Sequence, residues 1–250
     1  MAERYMIAYR NGEMDPARNG EYWLLRTLGQ FDFQIVFDVG ANRGEWASEA
    51  SRFFPHAVIH AFEISPETFR HLAASAAADA RIRANAFGLA EEAATVRLHV
   101  SPANDKVSSL LPIQELPYQR KLPWTETEAK VRAGDEYCRE ADIEQIGLLK
   151  IDVEGAENRV IAGFSKMIEG GRIDVIQFEY GQANIHSRFL LLDYYRYLGQ
   201  LGYQIGKLMP RWVSFKSYAE TDEDFMGLNY IAVHESRPDI IRKLERTMRE

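Results

Sequence analysis

Short apolar runs rich in β-branched and aromatic residues alternate along this chain with segments of helical periodicity. Ile35–Val39 is the first continuous run. Residues 45–53 read as a helix stopped ahead of Pro55, and 57–62 form a second apolar run. Ser65-Pro66 then supplies an N-cap and a first helical residue for a helix reaching about Ala78. A third strand spans 81–86 and another 95–100. The rhythm resumes with a strand at 148–153, a helix over 157–168, a strand at 174–179 and a helix over 187–201 closed by Gly202. Tyr203–Met209 and Asn229–His234 read as a closing antiparallel pair flanking a polar loop over 210–227, and 238–249 as a charged terminal helix.

Strands alternating with helices of this length predict an α/β fold, a doubly wound and mostly parallel sheet with helices on both faces. The expected organisation is a helical extension over 1–34, a main domain over 35–235 and a terminal helix over 236–250. Ile240, Ile241 and Leu244 make only a thin apolar stripe on that last helix, which therefore reads as a solvated tail. Residues 102–130 interrupt the alternation. Pro102, Pro112, Pro117 and Pro123 discourage long regular elements there, so the segment reads as a lid or insertion. Its Tyr118 and Trp124 offer aromatic faces to an acceptor ring.

Composition narrows the class. A chain of 250 residues, 46% apolar and 27% charged, fits one soluble domain and not a disordered or fibrous protein. The formal charge of −7 gives no global attraction to nucleic acid or anionic lipid. Cys138 is the single cysteine, so an intrachain disulfide is excluded. The first fifteen residues mix charges without an apolar core, and no apolar stretch is long enough to span a membrane. The expectation is a cytoplasmic monomer or homodimer that neither inserts in membrane nor binds nucleic acid.

The candidate chemistry begins at the end of the first strand. Gly40 and Gly44 frame a turn that opens a helix, as expected where backbone passes close to a ligand at the carboxyl edge of a parallel sheet. Glu63 ends the second strand at the spacing of a ribose-binding acid. A dinucleotide fingerprint needs a glycine where Asn42 stands. Asp38 would repel a pyrophosphate and attract an ammonium. S-adenosylmethionine (SAM), which has a ribose, an ammonium and a sulfonium but no phosphate, suits this pattern.

Three further segments carry charge. Alternation places Lys150, Asp152 and Glu154 on one side at the end of the fourth strand. Asp152 then faces the methionine portion or an incoming hydroxyl, Glu154 orients an acceptor, and Glu157 caps the following helix. Glu179, ending the fifth strand, and His186 are the candidate general bases. Asp152, Glu154, Glu179 and His186 also form a possible oxygen and imidazole set for a divalent cation.

Five segments together, FDVGANRGEWA (37–47), AFEISPETF (61–69), NAFGLAEE (85–92), LLKIDVEGAENRVIAGF (148–164) and IQFEYG (176–181), resemble the FkbM-type SAM-dependent methyltransferases. The resemblance runs over about residues 19–235, from Asn19-Gly20-Glu21 onward. It implies a class I methyltransferase fold with a seven-stranded sheet and an O-methyltransferase acting on a hydroxyl of a sugar, polyketide or related small-molecule or glycan acceptor. It also implies cofactor contacts from Asp38, Gly40, Asn42, Gly44, Glu63, Ile64 and Asp152, with Asn85, Ala86 and Phe87 at the adenine. An NAD(P)-binding oxidoreductase and a non-catalytic module of the same fold remain the alternatives.

Overall fold

The computed structural model describes residues 10–116, 119–226 and 228–245. The short helices α1 (Pro16–Asn19) and α2 (Glu21–Leu28) lie ahead of β1 (Ile35–Val39). The alternation then runs α3 (Glu45–Phe53), β2 (Val58–Phe62), α4 (Pro66–Ala76) and β3 (Ile82–Asn85). Ser65 accepts from the Thr68 amide and Pro66 opens α4, as the sequence predicts. Four strands follow: β4 (Gly88–Ala90), β5 (Ala94–Ser101), β6 (Asn104–Ser109) and β7 (Thr125–Ala133). Next come α5 (Gly134–Glu140), β8 (Ile146–Ile151), α6 (Glu157–Gly163), α7 (Ser165–Glu169) and β9 (Ile173–Glu179). The chain closes with α8 (Asn184–Ser187), α9 (Leu191–Gln200), β10 (Tyr203–Met209), β11 (Trp212–Phe215), β12 (Asn229–His234) and α10 (Pro238–Leu244).

The main sheet has the order β11-β10-β12-β9-β8-β1-β2-β3. β3, β2, β1, β8 and β9 are parallel, whereas β12, β10 and β11 pair antiparallel. The chain winds outward through β2 and β3, then returns to the other side of β1 at β8. That reversal between β1 and β8 is the switch point where open α/β sheets bind ligands. The central strands are apolar on both faces because helices cover both: every residue of β8 is buried. One helical layer packs Leu24, Leu25 and Leu28 of α2 against the sheet, and the other packs Val160, Ile161 and Leu198.

Four expectations are corrected. The main sheet has eight strands rather than seven, because part of the expected 210–227 loop folds back as β11 on β10 and buries Val213. Residues 102–130 are not one long loop. β5, β6 and β7 make an antiparallel unit that, with β4, forms a second four-stranded sheet. The helix expected over 157–168 is interrupted at Phe164, and that over 187–201 at Arg188, whose φ is +55°. α10 is not a solvated tail: Ile240 and Leu244 are fully buried in the same core as α2. The tail expected beyond it, 246–249, lies outside the described residues.

Candidate active site

At the carboxyl ends of β1, β2 and β8, roofed by α1, α2 and the end of β6, lies a cleft of about 270 Å³. Beneath it a polar row crosses the sheet, and its Lys150 lines the cleft. Asp38 on β1 stands opposite Lys150 on β8, which stands opposite Gln177 on β9. The Lys150 ammonium lies 3.1 Å from Asp38 and 3.2 Å from Asp152. Burial pulls the ammonium pKa down, but Asp38, Asp152 and Glu21 outweigh it, and Lys150 is held above the ordinary lysine value. Its Nζ also sits 5.6 Å from the centre of the Trp46 ring. Gln177 donates to Glu21 at 3.1 Å and to Asn229 at 2.9 Å.

The turn after β1 is built as the sequence suggests, for a different reason. Gly40 has φ +82°, and a Cβ there would lie 1.8 Å from the Asp152 carbonyl oxygen. The glycine is therefore required by contact between the β1 and β8 turns, whatever ligand approaches. Gly44 packs on Leu72 of α4 and does not line the cleft. Asn42, at φ +48°, takes the left-handed conformation that Asn tolerates better than most side chains. Its amide donates to Glu63 at 2.9 Å, and the Ser65 amide donates to the other carboxylate oxygen at 2.7 Å. Glu63 thus ties the β1 turn to the β2 turn while lining the cleft, as Ile64 does. Burial pushes its pKa up to about 7 against the pull of those two amides.

The acids after β8 divide by role. Asp152 remains 42% exposed on its side chain and lines the cleft beside Lys150. Glu154 lies past the strand end at φ +55°, also on the cleft wall; burial, then Asp152 and Glu157, push its pKa up to about 8. Glu179, at the end of β9, completes this side. Burial first, then Asp152 and Glu154, hold its pKa well above the carboxylate range. Glu157 is structural: one oxygen accepts from the Val153 and Gly155 amides at 3.1 Å each, fixing the turn before α6.

Several expected site residues lie elsewhere. Asp38 is buried behind the wall and compensated by Lys150, so it presents no carboxylate to the cleft. Asn85 turns back to donate to the Ala61 and Arg83 carbonyls, and Phe87 packs on Phe62 and Tyr137. With Ala86 they leave the lining at this end to Gly88 and Leu89. His186 on α8 is not a lining residue. Trp124 donates to the Gln119 carbonyl and packs on a small core of Val107, Ile113 and Leu116, while Tyr118 lies outside the described residues. The 102–130 segment reaches the cleft instead through Ser108, Ser109 and Leu110. Among the described residues, no three His, Cys, Asp or Glu side chains are grouped to hold a metal ion. Sequence reasoning missed Glu21, Trp46 and Asn229, all on the wall; the one available signal was that Asn19-Gly20-Glu21 begins the resemblance.

Residues 38–205 match the model of the methyltransferase FkbM domain. The chain belongs to the FkbM methyltransferase family. It is 33% identical over 153 residues to the 31-O-demethyl-FK506 methyltransferase FkbM of Streptomyces tacrolimicus, covering 52% of this chain and 58% of that one. It is 28% identical over 146 residues to Methyltransferase 1 of Beauveria bassiana, covering 53% and 59%. The matches thus span less than two thirds of these curated relatives. In fold, this FkbM domain is similar to the crystal structure of Methyltransferase FkbM from Methylobacillus flagellatus, with a TM-score of 0.50 at 16% identity over 80% of this chain and 43% of that one.

The cofactor of FkbM methyltransferases is SAM, and the cleft fits it. Glu21, Glu45, Glu63, Asp152, Glu154 and Glu179 line the wall against Lys150 and Arg43. Carboxyl groups in that number, which ionise beside a cation, suit a sulfonium and an ammonium and oppose a pyrophosphate.

Proposed function

We propose that this FkbM domain is a SAM-dependent O-methyltransferase that methylates a hydroxyl of a sugar, polyketide or related small-molecule or glycan acceptor. The observation that carries the reading is the acidic wall around a turn that has Asn42 where the phosphate fingerprint has its second glycine. Glu63 is the ribose ligand: its amide contacts with Asn42 and Ser65 hold it in place while leaving lone pairs for two hydroxyl donors.

SAM supplies a methyl group on a positively charged sulfur that departs readily as a thioether. The protein therefore has mainly to align the acceptor oxygen and receive its proton. Asp152, Glu154 and Glu179 line the cleft and are the residues assigned to that task. Carboxylates whose proton affinity is raised toward neutrality are better general bases than ordinary ones, and Glu154 and Glu179 are raised in that sense. Leu98, Leu110, Leu228 and Met14 give the cleft an apolar flank for the acceptor skeleton. The Streptomyces relative, named as a 31-O-demethyl-FK506 methyltransferase, supports an oxygen acceptor.

The test is calorimetry with SAM and S-adenosylhomocysteine, followed by transfer of labelled methyl to a panel of neutral glycosides and macrolides. Saturable binding of both compounds and label in an alkali-stable ether are expected. Binding of a nicotinamide dinucleotide in their place would overturn the proposal.

A further inference from the structure

Asp38 is fully buried, does not line the cleft and is paired through one oxygen with Lys150, so it is not placed to receive the ammonium of the cofactor. Glu21 does line the cleft. Its helix lies outside the 38–205 segment, yet its side chain lines the cleft and only 8% of the residue is exposed. The carboxylate is held from two directions, by Asn19 Nδ2 at 2.8 Å and by Gln177 Nε2 at 3.1 Å. The Asn19 carbonyl group of the side chain in turn accepts from the Glu21 amide at 2.9 Å. Gly20 at φ +109° pins the approach, since a Cβ there would meet the Met209 carbonyl at 2.3 Å.

Two amide donors use one lone pair on each carboxylate oxygen and leave the others for a cation. Among the described residues no Lys, Arg or His nitrogen lies within ion-pair distance of Glu21; Lys150 is in direct contact with Asp38 and Asp152 and attracts Glu21 only from farther away. The strand order sets the two carboxylates apart: Glu63 follows β2 on one side of β1, and Glu21 is held by Gln177 of β9 on the other, so a cofactor with its ribose at Glu63 would extend across the β1 turn toward Glu21.

We infer that Glu21 is the binding residue for the α-ammonium of the cofactor, oriented by Asn19 and Gln177. This rests on the SAM reading above. The experiment compares S-adenosylhomocysteine with its analogue lacking the α-amino group, by calorimetry on the wild-type chain and on Glu21→Gln. The wild type is expected to prefer S-adenosylhomocysteine by about 10- to 100-fold, the range of one charge-assisted hydrogen bond. In Glu21→Gln that preference collapses to about twofold while the des-amino analogue binds as before, which also shows that the variant is folded.

A preference that persists in Glu21→Gln overturns the inference. Should that variant lose both ligands, Glu21→Asp, which keeps the charge but retracts it, is expected to cut the preference several-fold. An undiminished preference there overturns the inference equally. If the wild type binds neither compound, the SAM reading itself falls, so the two failures are distinct.

Discussion

Lys150 and Asp38 face each other in register on adjacent parallel strands, ammonium to carboxylate, at the centre of the sheet. Neither is solvated: Lys150 is 4% exposed and Asp38 not at all. Buried pairs gain little relative to apolar replacements, but removing one partner strands the other.

Lys150→Met therefore leaves Asp38 charged and uncompensated, and destabilises the fold by about 3–5 kcal/mol in urea unfolding. The double variant Lys150→Met with Asp38→Asn is expected to recover much of that loss. A single variant as stable as the wild type would show that the pair is not needed.

Glu63→Ala removes both the proposed ribose ligand and the acceptor for the Asn42 and Ser65 amides. SAM affinity is expected to fall tenfold or more, with a lower melting temperature. Unchanged affinity in a folded variant contradicts the assignment.

The raised acids give binding a pH signature. Glu154, with its pKa of about 8, is mostly protonated at pH 7 in the cofactor-free protein, and burial shifts Glu179 in the same direction. A bound cation favours their ionised forms, so SAM binding releases protons and strengthens as pH rises through 8. Calorimetry in buffers of different ionisation enthalpy is expected to show net proton release; a buffer-independent enthalpy argues against it.

Glu157 makes a stability prediction of opposite direction. Burial raises its pKa to about 7, above the unfolded value of about 4.3. The folded state thus binds more protons between those values, so this stability is present below the unfolded pKa and lost as pH rises through 7. Relative to wild type, Glu157→Gln is expected to gain about 1–3 kcal/mol between pH 5 and pH 8. A pH-independent difference in denaturant unfolding refutes it.

His186 is not on the cleft wall and Asp152 is. His186→Ala is expected to leave methyl transfer within about threefold of wild type, and Asp152→Ala to lower it by more than about tenfold, in the range usual for a lost general base or orienting group. The reverse order would move the base to α8.

The central strands and the β1 turn were legible because each is written locally. Ile35–Val39 is buried on both faces and reads as such, and the Gly40–Gly44 turn is contiguous. The second sheet was hidden because β5 and β7 both begin exposed, and β7 carries Glu126, Glu128 and Lys130. Half-solvated antiparallel strands need a partner before their pattern means anything. The fate of Asp38 was equally out of reach, since Lys150 is 112 residues away and only strand register brings the two together. The role of Gly40 depends on the Asp152 carbonyl in the same way.

The position of α2 bears on how the chain can be cut. A fragment trimmed to residues 38–205 would keep the glycine turn and every acid after β8. It would forfeit Leu24, Leu25 and Leu28 from the core, β12 from between β9 and β10, and Glu21 and Asn229 from the wall. The recognisable stretch is thus not a portable module, and transplanting it alone would carry the signature without the enclosure.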